Sequence, residues 1–150
     1  MKERKRFLVT GAAGSVGSSL IKHLIADGHV VCALDSHEDG MFNLKQEYAQ
    51  KSCSDSIRYF LGDIRDPLRL RRALEGVDVV FHCAALKHVE MSEINPLETI
   101  ETNINGVKNI INCCLESTVE TVVFTSSDKS VNPSSTMGAT KLIGEKIITA

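Results

Sequence analysis

The segment Thr10-Gly11-Ala12-Ala13-Gly14-Ser15-Val16-Gly17 joins a short apolar run, residues 7–10, to an amphipathic helical pattern over residues 15–26. Glycines at such a junction suit a tight turn, a close backbone approach and a helix packed against the strand before it. The rest of the chain keeps that rhythm: β-rich runs at 30–35, 57–62, 77–82 and 121–126 alternate with helical patterns at 41–49, 67–74, 96–115 and 136–149. Continuous apolar runs belong to strands buried on both faces of a parallel sheet, and right-handed crossovers then build an α/β, doubly wound parallel sheet of the Rossmann type. The clearest helical pattern is 96–115, where Leu97, Ile100, Ile104, Val107, Ile111 and Leu115 recur every three or four residues, with Asn95 as N-cap, Pro96 at the first position and Glu98 at the third. No repeat or linker interrupts the alternation, so residues 1–150 read as one unit. The pattern ends at Ala150, one helix past the fifth strand and with no capping glycine after Ile147-Ile148. The domain is therefore expected to be incomplete, with no substrate domain and with an exposed apolar edge beyond residues 121–126.

At 43% hydrophobic and 24% charged, the 150 residues can bury a core without staples, which excludes disorder. A net charge of −2 gives no field for polyanions, so nucleic acid is not an expected partner. The five cysteines are odd in number, lack CxxC spacing and mostly fall in apolar runs, which suits a reducing cytoplasm and calls for neither disulfide nor metal. The basic opening MKERKR reads as a solvated lead-in to the first strand; the apolar stretch behind it is too short for a signal peptide, and no run is long enough to span a membrane.

The glycine loop runs straight into a helix N-terminus, whose free N–H groups and dipole suit a pyrophosphate. Thr10, Gly11, Ala13, Gly14, Ser15, Val16 and Gly17 are accordingly cofactor-binding candidates. Asp35 closes the second strand, where a carboxylate can accept from both adenosine ribose hydroxyls and would repel a 2′-phosphate, favouring NAD over NADP. As a strand-end Asp it also fits a turn, and His37 nearby is able to offer a phosphate a proton. In Gly62-Asp63-Ile64-Arg65-Asp66, Asp63 and Ile64 lie at the same sheet edge, Asp63 suited to the adenine amino group and Asp66, before Pro67, to a helix N-cap.

TGAAGSVG, Asp35, the GDIRD turn and His82-Cys83-Ala84-Ala85 together resemble the extended short-chain dehydrogenase/reductase superfamily. Residues 86–111 (LKHVEMSEINPLETIETNINGVKNII) and 126–146 (SSDKSVNPSSTMGATKLIGEK) are similar to the UDP-N-acetylglucosamine 4,6-dehydratases of capsule, O-antigen and flagellar glycan synthesis. The resemblance covers virtually the whole chain, whereas family members continue into further strands and a sugar-nucleotide domain. It implies an NAD-dependent oxidation at C-4 of a UDP-sugar, elimination of water across C-5 and C-6, and return of the hydride to C-6. It assigns Asp128 as acid for the C-6 hydroxyl, Lys129 as base at C-5 and Ser127 as the hydrogen-bonding partner of the reacting hydroxyl. Asp128 and Lys129 are then expected to have pKa values moved toward neutrality; taken alone, the pair also fits an exposed turn. Lys141 keeps the superfamily's ribose-binding position, while Met137 stands where tyrosine is usual. A thioether cannot relay a proton, so either the chain belongs to a methionine-bearing branch, with Ser127, Lys129 or water serving O-4, or its site is crippled. The resemblance further places Ala84, Ala85 and Lys87 by the cofactor, Lys87 and His88 by the substrate, and Asn103 in support of the lysine. Cys83 replaces the usual alanine with no expected chemistry.

The readings left open are a UDP-sugar 4-epimerase and a non-catalytic NAD-binding or dimerisation module. Helices near 96–115 and 136–149 are the expected homo-oligomer face. The 150 residues alone are expected to be inactive, because a cleft needs a second wall to position its substrate.

Overall fold

A computed structural model describes residues 4–150; the first three residues of the basic opening lie outside the described residues. Five strands form one parallel sheet: β1 (Arg6–Thr10), β2 (Val30–Asp35), β3 (Ile57–Leu61), β4 (Val79–His82) and β5 (Thr121–Phe124), in the order β3-β2-β1-β4-β5. The helices are α1 (Ser15–Ala26), α2 (Glu38–Tyr48), α3 (Pro67–Ala73), α4 (Val89–Ile94), α5 (Pro96–Ile100), α6 (Gly106–Leu115) and α7 (Thr136–Thr149). This is the doubly wound arrangement expected from the alternating pattern, and its chain order reverses between β1 and β4. Sheets of this kind open a crevice at such a switch point, beyond the carboxyl ends of the strands.

Side-chain alternation along the central strands feeds a core on each face. Leu8, Leu34 and Val80 point toward α3 and α6, while Val9, Ala33 and Val31 meet α1 and α2. Cys32, Cys113 and Cys114 are buried hydrophobes, and burial pushes the Cys114 thiol up to about 12. Asp66 caps α3, accepting from Leu68 N (2.9 Å) and Arg69 N (3.2 Å) with Pro67 at the first position. At the sheet's edge, β5 pairs only with β4 among the described residues, and its Val123 is exposed.

The segment before β5 corrects the sequence reading. A short helix, α4, precedes Pro96, and Asn95 between them is non-helical (φ −124°, ψ 62°), as the residue before a proline tends to be. Asn95 does not cap α5 with its side chain, which instead donates to Met91 O (3.1 Å) and closes α4. Beyond α5 a π turn, Glu101–Asn105, breaks the helix before α6 begins. The apolar stripe consequently does not face inward as a whole: Leu97 and Leu115 are 75% and 81% exposed, and Val107 is the one fully buried member. The inward residues of the first half are Thr99 and Asn103, which can be buried because each finds hydrogen-bond partners. A π turn shifts which residues face the core, and such turns gather at functional sites.

Candidate functional site

The crevice starts where β1 ends. Gly11 has φ +67°, and a Cβ there would lie 2.8 Å from Ala84 N, so only glycine lets the loop after β1 touch the backbone after β4. Gly17 brings α1 equally close, since its Cβ would lie 2.1 Å from Gly11 O. Gly14 occupies the N-cap of α1 without a side chain, leaving the helix's first N–H groups uncapped at the crevice. Behind this loop Thr10 is fully buried; its Oγ1 lies 2.6 Å from His82 Nδ1 and accepts from Ala84 N (3.2 Å). His82 is neutral, so either its ring N–H or the Thr10 hydroxyl supplies the proton of that bond; burial, then the charge of Lys141, pushes the His82 pKa down to about 3.

Asp35 ends β2 with both carboxylate oxygens anchored, one accepting from Ala13 N (3.0 Å) and the other from His37 N (2.9 Å). The His37 ring accepts from Gly40 N (3.2 Å) and so serves as the cap of α2. Asp63 accepts from Arg65 N (2.9 Å), Nε (2.9 Å) and Nη2 (2.7 Å), while Arg65 Nη1 reaches Glu98 (2.9 Å). Burial raises the pKa of Asp63, but the bonds and charge from Arg65 outweigh it and hold the carboxyl below its ordinary value.

A cavity of about 310 Å³ over this end is lined by Gly11, Gly14, Asp35, Asp63, Ile64, Ala84, Ala85 and Lys87 among the expected residues. A second, of about 360 Å³, shares Gly11, Gly14, Ala85 and Lys87 and continues past Ser15, Val16 and Gly17 to Ser127, Lys129, Met137 and Lys141. The shared residues make one groove crossing the switch point, of the size small-molecule sites have. Thr10, Ala13, Asn103, His88 and Asp128 line neither part. Thr10 and Asn103 sit behind the wall, Ala13 lends its N–H to Asp35, and His88 and Asp128 are exposed at the rim. Asn103 holds both backbone groups of Leu86, accepting from its N–H (2.8 Å) and donating to its carbonyl (2.9 Å), and also donates to Thr140 Oγ1 (3.0 Å). Its direct partners are thus the wall after β4 and α7, the helix that carries Lys141.

Helix α7 supplies the far end. Ser135 caps it, accepting from Gly138 N (3.1 Å). Met137 and Lys141, one turn apart, are both buried, and Lys141 Nζ donates to Thr125 O (2.7 Å) above the Phe124 ring (4.6 Å). Burial holds the Lys141 pKa below its ordinary value. Ser127 Oγ accepts from Lys129 N (3.2 Å) at the start of the 3-10 turn Asp128–Ser130 and donates to Asp128 Oδ1 (3.1 Å), which lies 3.8 Å from Lys129 Nζ. The expected shift of Asp128 toward neutrality is overturned: the Ser127 hydroxyl, then the Lys129 charge, holds it below its ordinary value. The turn is open to water, so nothing there disfavours the carboxylate.

Sequence reasoning missed four participants. Thr125 acts through its carbonyl, which leaves no mark in a sequence. Arg65 and Glu98 are joined only by the fold. Glu145, however, lies eight residues past Met137 and four past Lys141, so the stripe pointed to it; its carboxylate accepts from Ser126 and Ser130.

The groove and sheet define a Rossmann-type dinucleotide-binding fold, shared with solved structures of sugar-nucleotide enzymes. A model for the family described as "Polysaccharide biosynthesis protein" matches residues 7–150, and the chain belongs to that family. It is 45% identical over 144 residues to the uncharacterized membrane protein MJ1061 of Methanocaldococcus jannaschii, covering 95% of this chain and 42% of that protein. It is 40% identical over 151 residues to a UDP-N-acetylglucosamine 4,6-dehydratase (inverting) of Campylobacter jejuni, covering 100% and 44%. A UDP-glucose 4-epimerase of Rickettsia conorii is 31% identical, at 97% and 43% coverage. Among solved structures, Pen from Bacillus thuringiensis superposes with a TM-score of 0.93 at 39% identity, covering 98% of this chain and 45% of that one. DesIV, a dTDP-glucose 4,6-dehydratase from Streptomyces venezuelae solved with NAD bound, gives 0.81 at 29% identity, covering 95% and 50%. The chain thus spans less than half the length of the curated relatives it matches. Among the described residues no helix is long and apolar enough to cross a membrane.

Proposed function

We propose that the chain forms the NAD-binding part of a UDP-N-acetylglucosamine 4,6-dehydratase serving polysaccharide synthesis. The observation that carries this reading is the place of Asp128-Lys129, on the rim of the groove that the glycine loop and Lys141 share. An acid and a base side by side suit an elimination, which an epimerisation at C-4 does not include. The similarity to the Campylobacter jejuni dehydratase supports the same choice.

The residues fit a nicotinamide dinucleotide by shape. Glycine at 11 and 17 lets the loop lie against the backbone after β4 and lets α1 lie against the loop, and the uncapped first turn of α1 offers N–H groups to a diphosphate. Asp35, held by two backbone N–H groups, keeps lone pairs for the ribose hydroxyls and opposes a 2′-phosphate. Asp63 accepts three bonds from Arg65 and keeps capacity for an adenine amino group beside Ile64, Ala84 and Ala85. When bound, NAD supplies the acceptor for the C-4 hydride and the donor that returns it to C-6.

Lys141 holds the nicotinamide ribose and stabilises negative charge at O-4, and Ser127 orients that oxygen. Lys129 takes the C-5 proton and Asp128 gives one to the departing C-6 hydroxyl; as the hydride returns to C-6, a proton exchanged with solvent is delivered back to C-5 from Lys129. A sugar seated over Asp128 displaces water and raises its pKa, restoring the proton that the open turn lacks. Met137 cannot relay the O-4 proton, which passes to Ser127, Lys129 or water. Lys87 and His88 flank the sugar diphosphate. Two copies pair through the faces of α5, α6 and α7 that leave Leu97, Leu115 and Ile143 exposed; an equilibrium sedimentation mass of one chain would exclude that pairing.

The test is incubation of the protein, as its source cell makes it, with NAD and UDP-N-acetylglucosamine in deuterium oxide. A 4-keto-6-deoxy product carrying deuterium at C-5, with no net NADH, is expected. A C-4 epimer alone would establish the epimerase, and NAD binding without turnover would leave a binding module.

A further inference from the structure

Between Ser126 and Ser130 the chain makes the turn that carries Ser127, Asp128 and Lys129, and its acid-base side chains reach into water: those of Asp128 and Lys129 are 91% and 53% exposed. A two-residue acid-base pair on an open turn needs something else to fix its direction. The flanking serines provide it. Ser126 Oγ donates to one oxygen of Glu145, and Ser130 Oγ lies 2.7 Å from both that oxygen and Ser127 O, its single proton shared between them. The loop is therefore closed at its two ends on a single carboxylate from α7. A second contact comes from the same helix: a Cβ on Gly138 would lie 2.2 Å from Lys129 O, so α7 rests against the turn's backbone. A third, Gly144, lets the helix down onto Phe124, whose ring lies under Lys141.

We propose that Glu145 is a positioning residue, which sets the direction of the Asp128-Lys129 turn relative to Lys141 by holding Ser126 and Ser130 together. One helix then registers both halves of the chemistry: Lys141 for the oxidation at C-4 and, a turn later, Glu145 for the elimination at C-5 and C-6. The catalytic part of this proposal rests on the dehydratase reading; the clamp itself does not.

The experiment uses Glu145→Ala and Glu145→Gln in the protein as its source cell makes it. The first readout is hydrogen exchange at the amides of Lys129, Ser130 and Val131, which bond to Ser127 Oγ, Ser127 O and Asp128 O. Glu145→Ala speeds their exchange at least about tenfold while the β1 and β4 amides keep theirs; uniform protection, or faster exchange throughout the sheet, overturns the clamp. The second readout is turnover of UDP-N-acetylglucosamine. Misplacing the pair slows elimination by about 10–100-fold, so absorbance of reduced cofactor at about 340 nm accumulates during turnover in the Ala variant. NAD affinity and KM stay within about threefold, and Gln, which still accepts a hydrogen bond, recovers most of kcat. A kcat that does not change, or that falls only in step with NAD affinity and Tm, overturns the catalytic part. Should the unaltered protein fail to dehydrate the sugar, it is the dehydratase reading that falls, and exchange alone judges the clamp.

Discussion

The two ends of the groove are built differently. At the dinucleotide end the backbone does the holding: Gly11 abuts Ala84, Gly17 abuts Gly11, and Asp35 is fixed by two main-chain N–H groups. At the α7 end, side chains do it: Ser127, Asp128 and Lys129 occupy an open turn tied down by Glu145 and by the packing of Gly138. A binding site that must look the same for every substrate can be written into sheet and helix ends. An acid-base pair must change protonation when substrate arrives, and an exposed turn leaves room for that change.

That contrast predicts that the ends fail separately. The largest effect is expected from Asp128→Asn, which removes the proposed proton donor and should lower kcat by about 10²–10⁴-fold while NAD affinity, read by calorimetry, stays within about twofold. A comparable loss of NAD binding would show that the turn belongs to the cofactor site. Next is Gly17→Ala, whose new methyl meets Gly11 O; the loop must shift, and NAD should bind about 100-fold more weakly with a lowered Tm. Binding unchanged by this variant would refute the cradle. Smaller still, Asp35→Asn should weaken NAD about 10–30-fold and narrow the preference over NADP, both measurable by competition titration.

A last effect, on stability and not on binding, sharpens the comparison from beneath the glycine loop. His82 is neutral when folded, with a pKa pushed down to about 3. The unfolded chain takes up a proton on this residue once the pH falls below about 6.5. Its contribution to stability is therefore intact above that pH and is lost as acid is added toward about 3, at up to about 1.4 kcal/mol per pH unit. Urea midpoints between pH 4 and 7 should fall less steeply in His82→Gln than in the unaltered chain, and equal slopes would exclude the buried neutral ring as the source.

What the sequence made legible follows the same division. Strand runs, the glycine loop, the Asp66 cap and α7 could be read because each is a local pattern with a local cause. The phase of the 96–115 helix could not. Its pattern reads as one continuous helix, yet the π turn and the partners found for Thr99 and Asn103 put polar residues inside and left Leu97 and Leu115 of the apolar stripe outside. The groove members outside continuous motifs were equally hidden: the Thr125 carbonyl holding Lys141, and the Arg65–Glu98 pair, depend on residues brought together from distant elements. Asp128 was legible as a position but not as an acid, since its pKa is set by solvent and by a neighbouring hydroxyl.

The contact of Gly11 with Ala84 also sets a schedule for the ribosome. Thr10 emerges early, but its partners His82 and Ala84 follow 72 and 74 residues later, and Lys141 later still. A nascent chain that has displayed its glycine loop therefore has no wall to close on until β4 is out, and no lysine at the far end until α7 is nearly complete. Pairing strands so far apart along the chain is slow and leaves edges uncovered meanwhile. Cofactor capture would then wait for α7 to emerge, able to reward only chains that have already brought β1 and β4 together.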